Sequence, residues 1–251
     1  MKFCLRIVLM ALSLSCSMIP GVALADFDEG AAYNNKDYAT ALQKWKPLAA
    51  QGNASAQNNL GTMYGDGQGV SQNHEEAAKW YRLAANQGYA VAQKNLGTMY
   101  DHGQGVFQDY KEAVKWYRLA ADQGQAVAQN NLGAMYHNGQ GISQDYKEAV
   151  KWYRISADQG QAAAQRNLGV MYANGQGVTA NRVIAYALYN LSAANNSSKE
   201  NKAIANRAEL AESMAAKEIE AAQTLTREIA KLGNLQKALD SYAKNPSVKE
   251  K

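Results

Sequence analysis

Apolar residues in this chain recur at helical spacing, and between residues 53 and 196 the whole pattern returns every 36 residues. In residues 89–124, Ala92, Leu96, Met99 and Tyr100 fall on one face of a helix running from Tyr89 to Asp101. Gly103 can adopt the left-handed conformation that ends such a helix, and Val106 follows in the turn. Asp109, three residues before Glu112, supplies an N-cap for a second helix. That helix carries Ala113, Trp116, Tyr117, Leu119 and Ala120 on its apolar side and stops at Gly124. Asn73 with Glu76, and Asp145 with Glu148, start the equivalent helices of neighbouring copies. One short helix pair cannot bury its apolar face alone, but stacked pairs share a continuous core. The pattern therefore predicts an all-α solenoid of antiparallel helix pairs.

The recurring positions show how the pairs meet. Leu60, Leu96, Leu132 and Leu168 each precede a glycine, and each copy runs on through Met-Tyr to a Gly-Gln-Gly turn, as in Gly103-Gln104-Gly105. A mid-helix glycine costs roughly 1 kcal/mol relative to alanine. Its return at Gly61, Gly97, Gly133 and Gly169 predicts close approach of the two helices of a pair, with Ala56, Ala92, Ala128 and Ala164 as further small contacts. Trp80, Trp116 and Trp152 are expected to fill the space between neighbouring units.

The pattern decays at both ends. Residues 37–52 read as a lone second helix, with Trp45 in the tryptophan position, Gly52 as the stop and Pro47 expected to kink or delay it. In the fourth unit Leu188 replaces tryptophan and Asn190 replaces arginine. Beyond Asn195-Asn196-Ser197-Ser198 lie further helices, one with the stripe Ile219, Ala222, Leu225, Ile229 and Leu232 before Gly233, another from Leu235 to Lys244 before Pro246. Residues 26–52 are thus read as an N-terminal cap or partial repeat, 53–196 as four repeats and 197–251 as a helical cap and tail.

The run Ala-Gln-x-Asn-Leu-Gly-x-Met-Tyr, the Gly-Gln-Gly turn and Glu-Ala-Val-Lys-Trp-Tyr-Arg at 112–118 and 148–154 together resemble the Sel-one-like repeat family, a branch of the tetratricopeptide-like solenoids. The resemblance spans residues 53 to about 196. It implies a right-handed superhelix whose concave side is lined by the first helix of each pair, and work as an adaptor or scaffold for protein complexes. Some members carry a paired cysteine in each repeat, and an envelope hydrolase activity directed at penicillin-like or cell-wall substrates is attributed to that kind. This chain has no repeat cysteine, so that activity is the alternative rather than the expectation, and the protein is expected not to be an enzyme.

Composition then places the chain. Lys2 and Arg6, the apolar run from Ile7 to Ser15, Pro20-Gly21 and Ala23-Leu24-Ala25 have the layout of an export leader over residues 1–25, cleaved before Asp26. Both cysteines, Cys4 and Cys16, lie in that segment; lipid attachment at Cys16 is the lesser alternative. The mature chain, expected in the periplasm or secreted, then has no thiol for disulfides, metal ligation or nucleophilic attack. Residues 26–198 carry 14 basic and 14 acidic side chains, and the last 53 residues carry 10 and 8. Such balance lacks the basic stripe that nucleic acid demands. No later stretch has the roughly 20 apolar residues of a transmembrane helix.

Positions identical in all copies serve packing; specificity belongs to those that vary while facing the groove. By analogy with the wider solenoid clan, the inward residues are Asn58, Lys94, Asn130 and Arg166, with Asp101 and His137 after the tyrosines of the second and third copies. Amides there can bond a peptide backbone or sugar hydroxyls, and Lys94 and Arg166 can hold a carboxylate. The expected partner is a protein or peptide, or else an envelope polymer; self-association through the groove or the C-terminal helices is a further possibility. The invariant Asn59, Asn95, Asn131 and Asn167 are read as helix-to-helix hydrogen bonds in preference to a backbone-binding ladder. His74, His102 and His137 lack a third metal ligand, so neither metal nor cofactor is expected. The Gly-Gln-Gly turns follow helices, not strands, and are helix stops rather than phosphate loops. Ser241-Tyr242-Ala243-Lys244 matches a serine-x-x-lysine pattern, but no companion motif supports it.

Overall fold

The computed structural model describes residues 32–198, 201–232 and 234–244; the leader expected at 1–25, Gly233 and Pro246 lie outside them. The described residues fall in two compact units, divided between Lys44 and Trp45. In the first, Tyr33 and Tyr38 meet edge to face with ring centroids 5.5 Å apart. Asp37 accepts a hydrogen bond from the Thr40 backbone at 3.2 Å, and bonding to Thr40 holds its carboxyl below the usual carboxylate range. This cap starts α1 (Tyr38–Ala50), which contains Pro47. Of the two effects expected of Pro47, the delay does not occur, since the helix begins nine residues before it.

Among the described residues, the second unit is an all-helical solenoid of repeated helix pairs. Its pairs are α2 (Ala54–Asp66) with α3 (His74–Asn86), α4 (Ala90–His102) with α5 (Tyr110–Asp122), α6 (Ala126–Asn138) with α7 (Tyr146–Asp158), and α8 (Ala162–Asn174) with α9 (Arg182–Asn195). Each second helix also packs on the first helix of the next pair. The caps form as the residue types dictate. Asp109 Oδ1 accepts from the Lys111 and Glu112 amides at 2.9 and 3.1 Å, and Asn73 and Asp145 cap α3 and α7 in the same manner.

Each mid-helix glycine makes room for a tyrosine of the partner helix. A Cβ on Gly97 would stand 2.7 Å from Tyr117 Cδ1, and Gly61, Gly133 and Gly169 face Tyr81, Tyr153 and Tyr189 equally closely. Tyr117 is completely buried, whereas Trp116 beside it joins a cluster that contains Ala77, Tyr81 and Ala84 of the preceding repeat with Leu96 and Met99 of its own. The tryptophans thus lie between units, as expected, while the tyrosines fill each pair from within. The Arg of each second helix donates to the tyrosine that ends the next first helix, Arg82 to Tyr100 at 2.8 Å and Arg118 to Tyr136 at 2.5 Å, with its guanidinium over the ring.

A chain of buried glutamines ties the repeats together. Gln129 Nε2 donates to the Ala121 carbonyl at 3.1 Å, and Gln129 Oε1 accepts from Gln159 Nε2 at 2.7 Å. Gln57, Gln93 and Gln165 make the same two bonds in their own repeats, with Asn195 as the last donor. Each glutamine thus bonds a helix-end carbonyl of the preceding repeat and accepts from the residue that ends the second helix of its own. Gln129→Leu, of similar size, should destabilise by about 1–3 kcal/mol, because two hydrogen bonds worth roughly 0.5–1.5 kcal/mol net each are lost. Urea denaturation measures it, and a midpoint within error of wild type would refute the staple.

After α9 come α10 (Lys202–Glu212), α11 (Ala216–Leu232) and α12 (Leu235–Lys244). Leu225, Ile229, Leu235, Ala238 and Leu239 join the core formed by Tyr153, Leu168, Met171 and Leu188. Where Asn190 replaces the arginine, Arg207 donates to it at 2.9 Å and Asn190 donates to Thr226 at 3.3 Å. The Leu235 amide bonds Asp158 Oδ1 at 2.6 Å, tying α12 to α7. The three helices cover the open end of the last repeats, which is what a terminal cap must do.

Candidate functional site

The face lined by α2, α4, α6 and α8 carries the six residues singled out from sequence. Two of them, Asn58 and Asn130, are not open to a ligand. They are only 6% and 8% exposed, because an asparagine of the next repeat covers each. Asn95 Nδ2 donates to Asn58 Oδ1 at 3.1 Å and Asn167 Nδ2 to Asn130 Oδ1 at 3.0 Å. Asn95 and Asn167 therefore make helix-to-helix bonds, and the neighbours that they bond are withdrawn from the surface; Asn59 and Asn131 accept from Asn58 and Asn130 of their own helices.

Lys94 and Arg166 occupy the same position in the alternate repeats and are half-buried. Lys94 Nζ donates to Asn95 Oδ1, and Arg166 Nη2 to Asn167 Oδ1 at 2.8 Å. Each asparagine thus accepts from a cation in its own repeat and donates to the repeat before. Burial pulls the Lys94 ammonium below its ordinary pKa. Arg166 Nε is buried without a hydrogen-bond partner. The alternative that both are ordinary solvated charges does not hold.

A lysine whose pKa falls on folding costs stability wherever it is protonated, and that cost fades as pH rises through the depressed value toward the unfolded one. Lys94→Asn, which installs the residue of the first and third repeats, should therefore raise Tm at pH 7. The gain should shrink as the pH approaches 10.5, the ordinary lysine value. Paired thermal melts at pH 7 and 10.5 test this; a gain equal at both would exclude burial of the charge as its origin.

Asp101 and His137 lie two turns further along the same face, seven residues after Lys94 and Asn130. Asp101 Oδ2 accepts from the Tyr117 hydroxyl, which also contacts Thr98 Oγ1, both at 3.2 Å. His137 Nδ1 lies 2.9 Å from Asn138 Oδ1, and its ring meets Tyr146 with centroids 5.4 Å apart. The structure brings His137 and Arg166 together in one cavity of about 180 Å³, with Tyr153, Asn167, Lys202 and Asn206. Lys202 and Asn206 belong to α10, outside the repeats, and no repeat pattern in the sequence pointed to them. A neighbouring cavity of about 470 Å³ continues past Asn206 to Glu209 and Ser213.

Ser241 is elsewhere, exposed on a cavity of about 500 Å³ between α11 and α12 with Lys217, Glu220 and Glu228; the side chain of Lys244 lies outside the described residues. Among the described residues, no three His, Cys, Asp or Glu side chains gather as a metal site would require.

Stacked antiparallel pairs, an inner face built from the first helices and a helical cap define a helical-repeat solenoid. Residues 54–89, 90–125, 126–161 and 162–197 each match the Sel1 repeat, more than half of the chain, and the chain belongs to that family. It is 37% identical to a Sel1 repeat protein of Oxalobacter formigenes of known structure, over 73% of this chain and 74% of that one, with a TM-score of 0.64. It is 32% identical to c5321, a protective antigen of uropathogenic Escherichia coli strains displaying an SLR fold, over 89% of this chain with a TM-score of 0.76. This chain spans about half of that antigen, 48% of its length. No curated protein matches the chain. Sel1 repeats generally act as protein–protein interaction scaffolds, and typical members are not enzymes.

Proposed function

We propose that this protein is an exported, non-enzymatic adaptor that holds a protein or peptide partner along the face lined by α2, α4, α6 and α8. The observation that carries the reading is the division of labour there. Invariant Gln and Asn side chains are consumed in holding the repeats together and the mid-helix glycines in making room for the tyrosines, while Lys94 and Arg166 keep half-buried positive charge on the same face. Partly desolvated charge lowers stability and so is retained for a contact rather than for the fold. Export rests on the basic, apolar and Ala-Leu-Ala sequence of residues 1–25. Among the described residues no helix is long and apolar enough to cross a membrane.

The test is affinity capture from the cell envelope, comparing wild type with Lys94→Glu/Arg166→Glu of matched stability. A partner retained by wild type and lost by the variant supports the groove; a partner held equally by both removes it. N-terminal sequencing of protein recovered from the envelope should begin at Asp26, and an intact Met1 would refute export by this leader.

A further inference from the structure

We propose that the cavity lined by α6, α7, α8 and α10 is a carboxylate pocket, which receives an acidic group of the partner that the groove holds. This deepens the adaptor reading and rests on it for the partner, though not for the pocket. The cavity, about 180 Å³, is too small for a helix or a sugar chain and suits the end of one amino-acid residue. Arg166 and Lys202 supply two positive charges, and among the described residues neither forms an ion pair. Arg166 spends Nη2 on Asn167, and its Nε is buried without a hydrogen-bond acceptor. A guanidinium with unused donors, held by packing and by one amide, is prepared for an anion.

The remaining wall narrows the class of anion. Asn167, Asn206 and Tyr153 bring side-chain donors, and the Tyr153 hydroxyl stays protonated because burial raises its pKa. Val170 and Met171 add an apolar part to the wall. That surface is suited to the hydrocarbon stem that carries a carboxylate, whereas a phosphate would leave it without a partner. The carboxylate Glu209 lines the adjoining cavity and not this one, so repulsion limits how far an acidic chain could extend past Asn206. The pocket exists only because α10 follows the fourth repeat along α9, bringing Lys202 opposite Arg166.

A carboxylate can come from a chain terminus or from an Asp or Glu side chain, and short peptides separate the two. The probes are Ala-Ala-Leu as free acid, its C-terminal amide, N-acetyl-Ala-Glu-Ala amide and inorganic phosphate, titrated into the full-length protein. The readout is the NMR shifts of the Asn167 and Asn206 side-chain amides. We expect saturable shifts with Kd on the order of 1 mM for the free acid, the glutamate peptide or both, and none for the neutral amide. Arg166→Asn, which carries the residue found at position 130, should weaken binding at least tenfold, as should Lys202→Gln. Equal shifts with the neutral amide, tighter binding of phosphate than of either acid, or no response to any acid would overturn the proposal. Acid binding without a captured partner would count against the adaptor reading alone. A partner lost on changing Lys94 but not Arg166, with no acid binding, would count against the pocket alone.

Discussion

Tyr117→Ala should cost about 3–5 kcal/mol, the range for a large aromatic residue removed from a packed core. Tyr117 is completely buried, its ring fills the gap over Gly97 and its hydroxyl contacts Thr98 and Asp101. Relaxation cannot close the cavity easily, because α4 and α5 are each fixed to neighbouring repeats by the glutamine staples. Tyr117→Phe keeps the ring and should lose only about 1 kcal/mol for the hydroxyl bonds. The two variants separate packing from hydrogen bonding in one set of urea curves, and an unshifted midpoint for the alanine variant would reject the ring as the centre of the repeat. The hydroxyl also gives a pH signature. Burial raises its pKa above the ordinary 10.0, so the folded state disfavours the phenolate. This contribution is whole below pH 10 and is lost as pH rises beyond it, when only the unfolded chain releases the proton readily. Tyr117→Phe should lessen the alkaline loss of stability.

Gly141→Ala should be nearly as damaging, about 3 kcal/mol or more. Gly141 has φ 70°, which costs an alanine roughly 1–2 kcal/mol. Its new Cβ would also stand 2.2 Å from the Tyr110 carbonyl oxygen at the start of the preceding repeat's second helix. Backbone cannot step aside as a side-chain tip can, so two repeats must separate. Gly139 provides the comparison: it shares φ 70°, but its nearest neighbour is Gln144 Cβ, at 3.2 Å, a close contact rather than an overlap. Asparagine tolerates the left-handed conformation, so Gly139→Asn should fold with a small loss and Gly141→Asn should not. Equal melting of the two variants would show that only backbone conformation matters at this turn.

These positions show how far the chain could be read unaided. The Gly-Gln-Gly turn was legible as a helix stop, and Gly103 and Gly139 do end helices. The second glycine's role could not be seen, since it depends on a carbonyl of another repeat, Tyr110 for Gly141. The tryptophans were assigned correctly to the space between units, but Tyr117 was credited only with helical spacing. Burial ranks it above Trp116 because the glycine opposite leaves a slot of its width. The buried glutamines recur as plainly as the glycines. Their sequence signal was present in the invariant Ala-Gln pair, yet their bond partners lie 8 and 30 residues away.

The candidate site was legible in part. Counting back two residues from each leucine found Lys94 and Arg166, but it could not show that Asn58 and Asn130 are covered by Asn95 and Asn167. Sequence by itself determined the repeat, the helix limits, the caps and the near-neutral charge, because these depend on residues within one turn or on periodicity. Only the tertiary structure decided which inward positions stay open, and that Lys202 and Asn206 complete a pocket with Arg166 and His137. Those choices depend on the path of α10 after the last repeat, and packing between elements, not local pattern, sets that path.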